Sequence, residues 1–305
     1  MGSVRRTRTW IFVVAAVGVL AGVGLVGVGL FRGGDGGVLS LTSASGGATS
    51  SPTPTGPSPE ELAAQARAKR AKDLTAALTK YAVGKPEFSV AVLDKKTGQK
   101  FSFRGTEKYD TASIVKVQVL GCLLLKAQDK DRDLTSSELA KAKLMIRLSD
   151  NNATTSLFTG LGGKSAVTAC NKRLGLTQTV VNSAWGLTRT TVDDQIKLLG
   201  QLVDPKSPLD ADSRKLAFTL MNSVDKTQEW GVPAAAKPGE EFTVKNGWDT
   251  RTADNGLWAV NSVGRITSDD TDVSLAVLSH RNATMDSGIS EVETVAKMTR
   301  QYLKY

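Results

Sequence analysis

The segment Ser113-Ile114-Val115-Lys116 sets a hydroxyl and an amine three residues apart. On a helix, positions i and i+3 share a face, so the Lys116 amine can lie beside the Ser113 hydroxyl. Their surroundings are almost wholly apolar. Ile114, Val115, Val117, Val119, Leu120, Leu123, Leu124 and Leu125 leave little polar face, which predicts a helix buried in the core. A serine and a lysine buried at its first turn cost free energy unless each has partners. A desolvated lysine has a lowered pKa and can take the serine proton, so nucleophilic chemistry here needs no histidine. The positive end of the helix dipole would favour negative charge developing at Ser113. The plainer reading of the same four residues is a capping serine with a lysine that snorkels to solvent. A second match of the same form, Ser223-Val224-Asp225-Lys226, means that the tetrapeptide by itself selects nothing.

Two further polar groups follow along the chain. Ser149-Asp150-Asn151 comes after a helix opened by Thr135-Ser136-Ser137-Glu138, a capping-box pattern. Read structurally, that triplet is a polar helix stop and the cap of the next helix. Lys245-Asn246-Gly247 ends a strand at Phe242–Lys245 and runs into Trp248. A lysine there could project into a cleft, and the glycine would let backbone approach a ligand; as plain structure, it is a strand end with a turn. A Lys-Thr-Gly at Lys96-Thr97-Gly98 lies in an early hairpin turn, ahead of Ser113.

These groups must be positioned by the elements around them. Pro59 to about Ala82 reads as a helix, capped by Ser58 before Pro59-Glu60-Glu61. Phe88–Leu93 and Lys100–Phe103 alternate apolar and polar residues around Lys95-Lys96-Thr97-Gly98, a hairpin signal. The pattern is mostly helical from Ser113 to about Val224. Strand character returns at Phe242–Lys245, Leu257–Val263 and Val273–Ser279, and a last amphipathic helix runs from about Ser287 to Tyr305. No internal repeat is evident. The expected fold is α/β (α+β): one antiparallel sheet from both chain ends, packed with N- and C-terminal helices, plus an inserted all-helical lobe. A cleft between sheet and lobe is the default place for a site.

Arg5, Arg6 and Arg8 precede an uncharged run from Trp10 to Phe31. A helix of that length spans about 33 Å, enough for a hydrocarbon core. Basic residues ahead of it place residues 1–9 in the cytoplasm and everything after residue 31 outside. The run is longer than the apolar region of a signal peptide, so an uncleaved anchor is preferred, with cleavage near Ser43–Ala48 as the alternative. Gly18 and Gly22 form a GxxxG in a run already rich in glycine, and no cysteine follows the run to carry a bacterial-type lipid. Residues 32–58 are mostly Gly, Ser, Thr and Pro and read as a linker. The functional domain is then 59–305.

Composition narrows the chemistry. His280 is the only histidine, which excludes a multi-histidine metal site and makes any Ser-His-Asp triad depend on that residue. Two cysteines, Cys122 and Cys170, cannot build a zinc cluster; an exported location permits a disulfide, and two buried thiols are the other possibility. Neither a metal nor another cofactor is expected. The formal charge of +9 is scattered rather than striped and aromatics are 6%, so nucleic-acid binding is disfavoured and an anionic cell-wall neighbourhood is the alternative account. A monomer acting on a small substrate is expected.

The order S-x-x-K, S-D-N, K-x-G, with its enclosing sheet and helical insert, resembles the class A β-lactamases and penicillin-binding proteins from about Ser58 to Tyr305. Ala283-Thr284-Met285-Asp286 before the last helix is similar to those enzymes too. The resemblance implies Ser113 as the acylated nucleophile and Lys116 as its general base. It also implies that Ser149 relays a proton to the leaving nitrogen and that Asn151 holds the substrate amide. Lys245, with Asn246 and Gly247 beside it, would orient the hydroxyl and a substrate carboxylate, and the N–H groups of Ser113 and Trp248 would form an oxyanion hole. Arg189 and Arg251 are candidates for gripping a substrate carboxylate. The implied substrate is a β-lactam or a D-alanyl peptide-like amide or ester.

Three departures qualify the resemblance. Asn246 stands where the family has Ser or Thr. Only 36 residues separate Ser113 from Ser149, which implies a more open site. No acidic residue lies between Leu174 and Val192, the segment leading to Thr190-Thr191, where the family keeps the glutamate that activates water. A β-lactam could therefore acylate Ser113 and stay attached, and a slow or inert binding domain is the alternative to an active hydrolase. A basic module binding anionic wall polymer is a third reading.

Overall fold

Ser58 opens the first helix by accepting the Glu61 N–H, while the Glu61 carboxylate accepts the N–H of Ser58. The computed structural model describes residues 56–305. The apolar run at 10–31 and the linker before residue 56 lie outside the described residues. No helix among the described residues is long and apolar enough to cross a membrane.

In chain order, α1 (Pro59–Tyr81) is followed by strands β1 (Glu87–Asp94), β2 (Lys100–Phe103) and the short β3 (Tyr109–Asp110). Four helices come next: α2 (Val115–Gln128), α3 (Ser136–Arg147), α4 (Asn151–Leu161) and α5 (Gly163–Arg173). Then come β4 (Arg189–Thr190), α6 (Val192–Gln201), α7 (Ala211–Asn222), β5 (Glu241–Arg251), β6 (Leu257–Thr267), β7 (Asp272–Asn282) and α8 (Met285–Leu303). The main sheet has the order β2-β1-β7-β6-β5, antiparallel throughout, so both chain ends do supply it. The β1–β2 hairpin turns through Gly98, whose φ of +70° is a conformation glycine adopts without a Cβ penalty.

Side-chain alternation sorts the sheet's two faces. Phe88, Val90 and Val92 of β1 pack in one cluster with Leu74 and Leu78 of α1 and Val292 and Val295 of α8. Ala91 joins the opposite cluster, with Ile196 and Leu199 of α6 and the buried residues of α2. Each large apolar side chain so buried contributes about 1.5–3 kcal/mol. Only Leu74 and Leu78 of α1 are fully buried, so its first half contributes little to the core.

Several expectations are corrected in detail. Ser113 is not on the first turn of an α-helix: it sits in a 3₁₀ turn, Ala112–Ile114, that leads into α2. The chain must bend from β3 into that turn, and it does so with Ala112 at a φ of +44°. The strand at Phe242 does not end at Lys245. It runs to Arg251 because β6 pairs with it along its whole length, which puts Lys245-Asn246-Gly247 inside the sheet. The β3–β4 pair was not foreseen, since each strand is two residues long.

Cys122 of α2 and Cys170 of α5 form a disulfide that closes a loop across 48 positions. A cross-link of that span stabilises the fold by about 4 kcal/mol in the chain-entropy treatment. Reduction, or the double variant Cys122→Ala/Cys170→Ala, is expected to lower Tm by roughly 10 °C. Calorimetry with and without reductant checks this, and an unchanged Tm would show that α2 is held by packing alone.

Candidate active site

Five polar side chains converge where the helical lobe meets β5. Lys116, on the first turn of α2, has no solvent exposure. Its Nζ lies 2.7 Å from Ser113 Oγ, 2.8 Å from the Ser149 carbonyl, 3.0 Å from Ser149 Oγ and 2.8 Å from Asn151 Oδ1. Ser149 links α3 to α4 in a left-handed conformation, φ +58°. A side chain held there costs roughly 1–2 kcal/mol, and the conformation lets both its carbonyl and its hydroxyl meet one amine. Asp150 caps α4 by accepting the Ala153 N–H, which fixes Asn151 at the helix start. From β5, Lys245 Nζ donates to Ser149 Oγ at 3.0 Å and to the Asn246 carbonyl at 2.9 Å, with Gln228 Oε1 at 3.5 Å. Ser149 Oγ therefore bridges two lysines.

The hydrogen-bond inventory constrains the protons. The Ser149 carbonyl and Asn151 Oδ1 can only accept, so they take two of the Lys116 N–H bonds. In the neutral amine, the lone pair is then left for the hydroxyls, of which Ser113 is nearest. Burial pushes the Lys116 amine down to about 7, with the Asp150 charge acting in the opposite direction. Burial, and secondarily the charge of Lys116, push Lys245 well below lysine's usual range. Two fully charged ammonium groups sharing one hydroxyl would repel each other in this dry setting.

Gly247 is a steric requirement. A Cβ there would fall 2.7 Å from the Ser113 nitrogen and from the Thr111 carbonyl oxygen, because β5 passes directly under the turn that carries Ser113. Asn246 is not turned toward the lysines. Its Nδ2 donates to the carbonyls of Gln228 and Trp230, at 2.8 and 3.0 Å, and so ties down the neighbouring loop. Trp248 meets Trp230 edge to face, centroids 5.8 Å apart. Together with Leu148 and Met285 they border a cleft of about 250 Å³ that opens onto Ser113, Ser149 and Asn151.

The remaining candidates stand elsewhere. Ser223 donates to the Leu220 carbonyl at the end of α7, away from any lysine contact. Thr97 donates to Asp94 within the hairpin turn. His280 lies 2.6 Å from Glu87 and packs on Tyr109, as a packing residue would. Arg251 is engaged by Asp110, Asp249 and the Gly186 carbonyl, and Arg189 by the Lys108 carbonyl. Sequence reasoning missed Trp185: its ring centroid is 4.9 Å from Lys116 Nζ, and its Nε1 donates to Thr155 Oγ1 at 3.1 Å. A tryptophan in an otherwise small and polar loop was the available signal. Gln228 and Trp230 were also missed, because nothing in their local pattern sets them apart.

A family model described as the β-lactamase enzyme family matches residues 69–143 and 135–305. "Putative lipoprotein LppW" of Mycobacterium tuberculosis is 30% identical over 168 residues, 52% of this chain and 53% of that protein, and Mycobacterium bovis LppW matches to the same degree. The chain spans about half the length of the curated relatives it matches. Among solved structures, the TLA-1 extended-spectrum β-lactamase superposes with a TM-score of 0.69 over 77% of this chain and 99% of that one, at 20% identity. A mutant of PBP-A, solved as an acyl-enzyme complex with penicillin G, gives 0.67 over 76% and 97%, at 18% identity. A β-lactamase of Xanthomonas campestris gives 0.66 over 77% and 98%, at 17% identity. At these identities the likeness is one of fold.

Proposed function

The chain belongs to the β-lactamase enzyme family, and from that premise we propose that it is an exported serine hydrolase whose Ser113 is acylated by a β-lactam or a D-alanyl peptide-like amide or ester. The observation that carries the reading is the single hydrogen-bonded group of Ser113, Lys116, Ser149 and Lys245. In the proposed step, Ser113 Oγ attacks the substrate carbonyl carbon while its proton passes to the Lys116 amine. The carbonyl C–N bond, or C–O in an ester, breaks as the new Oγ–C bond is kept. A proton reaches the leaving atom through Ser149 Oγ, which Lys245 polarises from the other side. The Ser113 and Trp248 N–H groups would receive the oxyanion, worth a few kcal/mol where such donors are well placed. With Asn151 Oδ1 held by Lys116, its Nδ2 is the end that can donate to a substrate amide.

Release of the acyl group should be slow. The segment from Leu174 to Val192 carries no carboxylate to activate water, and the Trp185 indole covers one side of Lys116. This supports the second reading, of a site that holds its acyl group and acts as a penicillin- or wall-peptide-binding domain. Attachment through residues 10–31 is supported by the apolar run, and the lipoprotein name of a relative supports only export to a membrane surface. A monomer with no nucleic-acid partner is part of the same reading.

Intact-protein mass spectrometry of the full-length chain in mild detergent tests the proposal, with benzylpenicillin sampled from seconds to hours. One adduct that forms slowly and persists is expected. The acylation rate should rise with pH through about 7 and level off above it, because only the neutral Lys116 amine can accept the proton. Well below that value the rate should fall about tenfold per pH unit. A rate independent of pH between 5 and 8 would exclude Lys116 as the base.

A further inference from the structure

We propose that the cleft is built for uncharged acyl donors, whose leaving side carries no carboxylate. The proposal rests on the reading of Ser113 as nucleophile and adds the class of substrate. Its basis is that Lys116 and Lys245, the buried lysines beside the nucleophile, and Arg251 further along β5 already hold polar partners within the protein. Lys245 Nζ lies within 2.9–3.5 Å of the Asn246 carbonyl, Ser149 Oγ and Gln228 Oε1, which fill its surroundings. Lys116 is enclosed by Ser113, Ser149, Asn151 and the Trp185 ring. Arg251 is paired with Asp110 and Asp249, and its remaining contacts are the Gly186 and Thr250 carbonyls.

The strand position that could offer a hydroxyl to a carboxylate is occupied by Asn246, whose two N–H bonds serve the Gln228 and Trp230 carbonyls. Asn246 is fully buried, so it offers the cleft neither a hydroxyl nor a free N–H. The walls that remain are Leu148, Trp230, Trp248 and Met285, and no charged side chain lines the cleft. A carboxylate bound here would give up water and meet no charged side chain on the cleft wall, whereas an ester or a primary amide of the same shape would bury apolar surface.

Benzylpenicillin and its methyl ester provide the test, because they present the same lactam with and without the charge. In both, the Ser113 Oγ–C bond forms, the lactam C–N bond breaks and the proton goes to the lactam nitrogen. The second-order acylation constant of the full-length protein is measured for each by intact mass. Each constant is divided by that compound's own rate of opening by hydroxide. The corrected constant should be at least about tenfold higher for the methyl ester, the size of effect that one missing charge-assisted hydrogen bond produces. An ester no faster than the acid, including the case in which neither reacts, overturns the proposal. Labelling by a fluorophosphonate, run in parallel on the protein and on Ser113→Ala, separates the two levels. Ser113-dependent labelling with no ester preference removes only the substrate class. Absence of that labelling removes the nucleophile as well.

Discussion

Replacing Ser113 with alanine is expected to abolish every covalent adduct of the protein, while Ser223→Ala leaves labelling unchanged. The two serines share the same local spacing to a lysine, and only their environments differ. Ser113 Oγ is 2.7 Å from a buried amine. Ser223 spends its hydroxyl on the Leu220 carbonyl, and Lys226 stands exposed. Loss of a nucleophile is not graded: with no oxygen there is no acyl bond, so the adduct should disappear rather than diminish. Ser113→Ala removes one partly exposed hydroxyl and should leave Tm within a few degrees, so a negative labelling result cannot be put down to unfolding. Equal loss of labelling in both variants would undo the choice between the two serines. Persistent labelling of Ser113→Ala would move the nucleophile elsewhere.

Replacing Lys116 is expected to slow acylation by about 10²–10⁴-fold at neutral pH, the range for loss of a general base. Lys116→Met is the informative variant, because it keeps most of the buried volume while removing the amine. The Ser149 carbonyl and Asn151 Oδ1 then lose their donor, so Tm is expected to fall by a few degrees and is measured beside the rate. Ser149 Oγ would keep Lys245 as its partner, at 3.0 Å. The rise in rate through pH 7 should vanish with the amine, since burial gives that transition to Lys116. Stopped-flow or quenched mass measurements across pH 5–9 read both effects. An unchanged rate would rule out Lys116, and a slowed rate that kept its pH transition would transfer the proton acceptor to Lys245.

Much of the architecture was legible without coordinates because it is written in short-range periodicity. The largely apolar run after Ser113, interrupted at Lys116 and Gln118, meant a helix with little solvent face, and α2 is buried almost along its whole length. The cap at Ser58, the capping box at Thr135 and the turn at Gly98 are each decided by residues within four positions of one another. Strands at the two chain ends could pair only by closing one sheet around the helical insert, and they do. The ends of β5 were misjudged because a strand's length depends on its neighbour: β6 continues the pairing to Arg251 through residues with no strand signal of their own.

The site divides in the same way. Legible in residue order alone were the i, i+3 spacing of Ser113 and Lys116 in an apolar setting, a helix stop and cap at Ser149-Asp150-Asn151, and the lack of a carboxylate in the loop before Thr190-Thr191. Those are properties of spacing and residue type. Tertiary packing alone sets Ser149 and Lys245, 96 positions apart, in a hydrogen bond. It also decided that Asn246 faces the Gln228–Trp230 loop, that Trp185 lies over the lysine, and that Cys122 meets Cys170. Each of these depends on where two distant segments come to rest against each other. That is set by how the sheet and the helical lobe fill their common core, and no local pattern of residues encodes it.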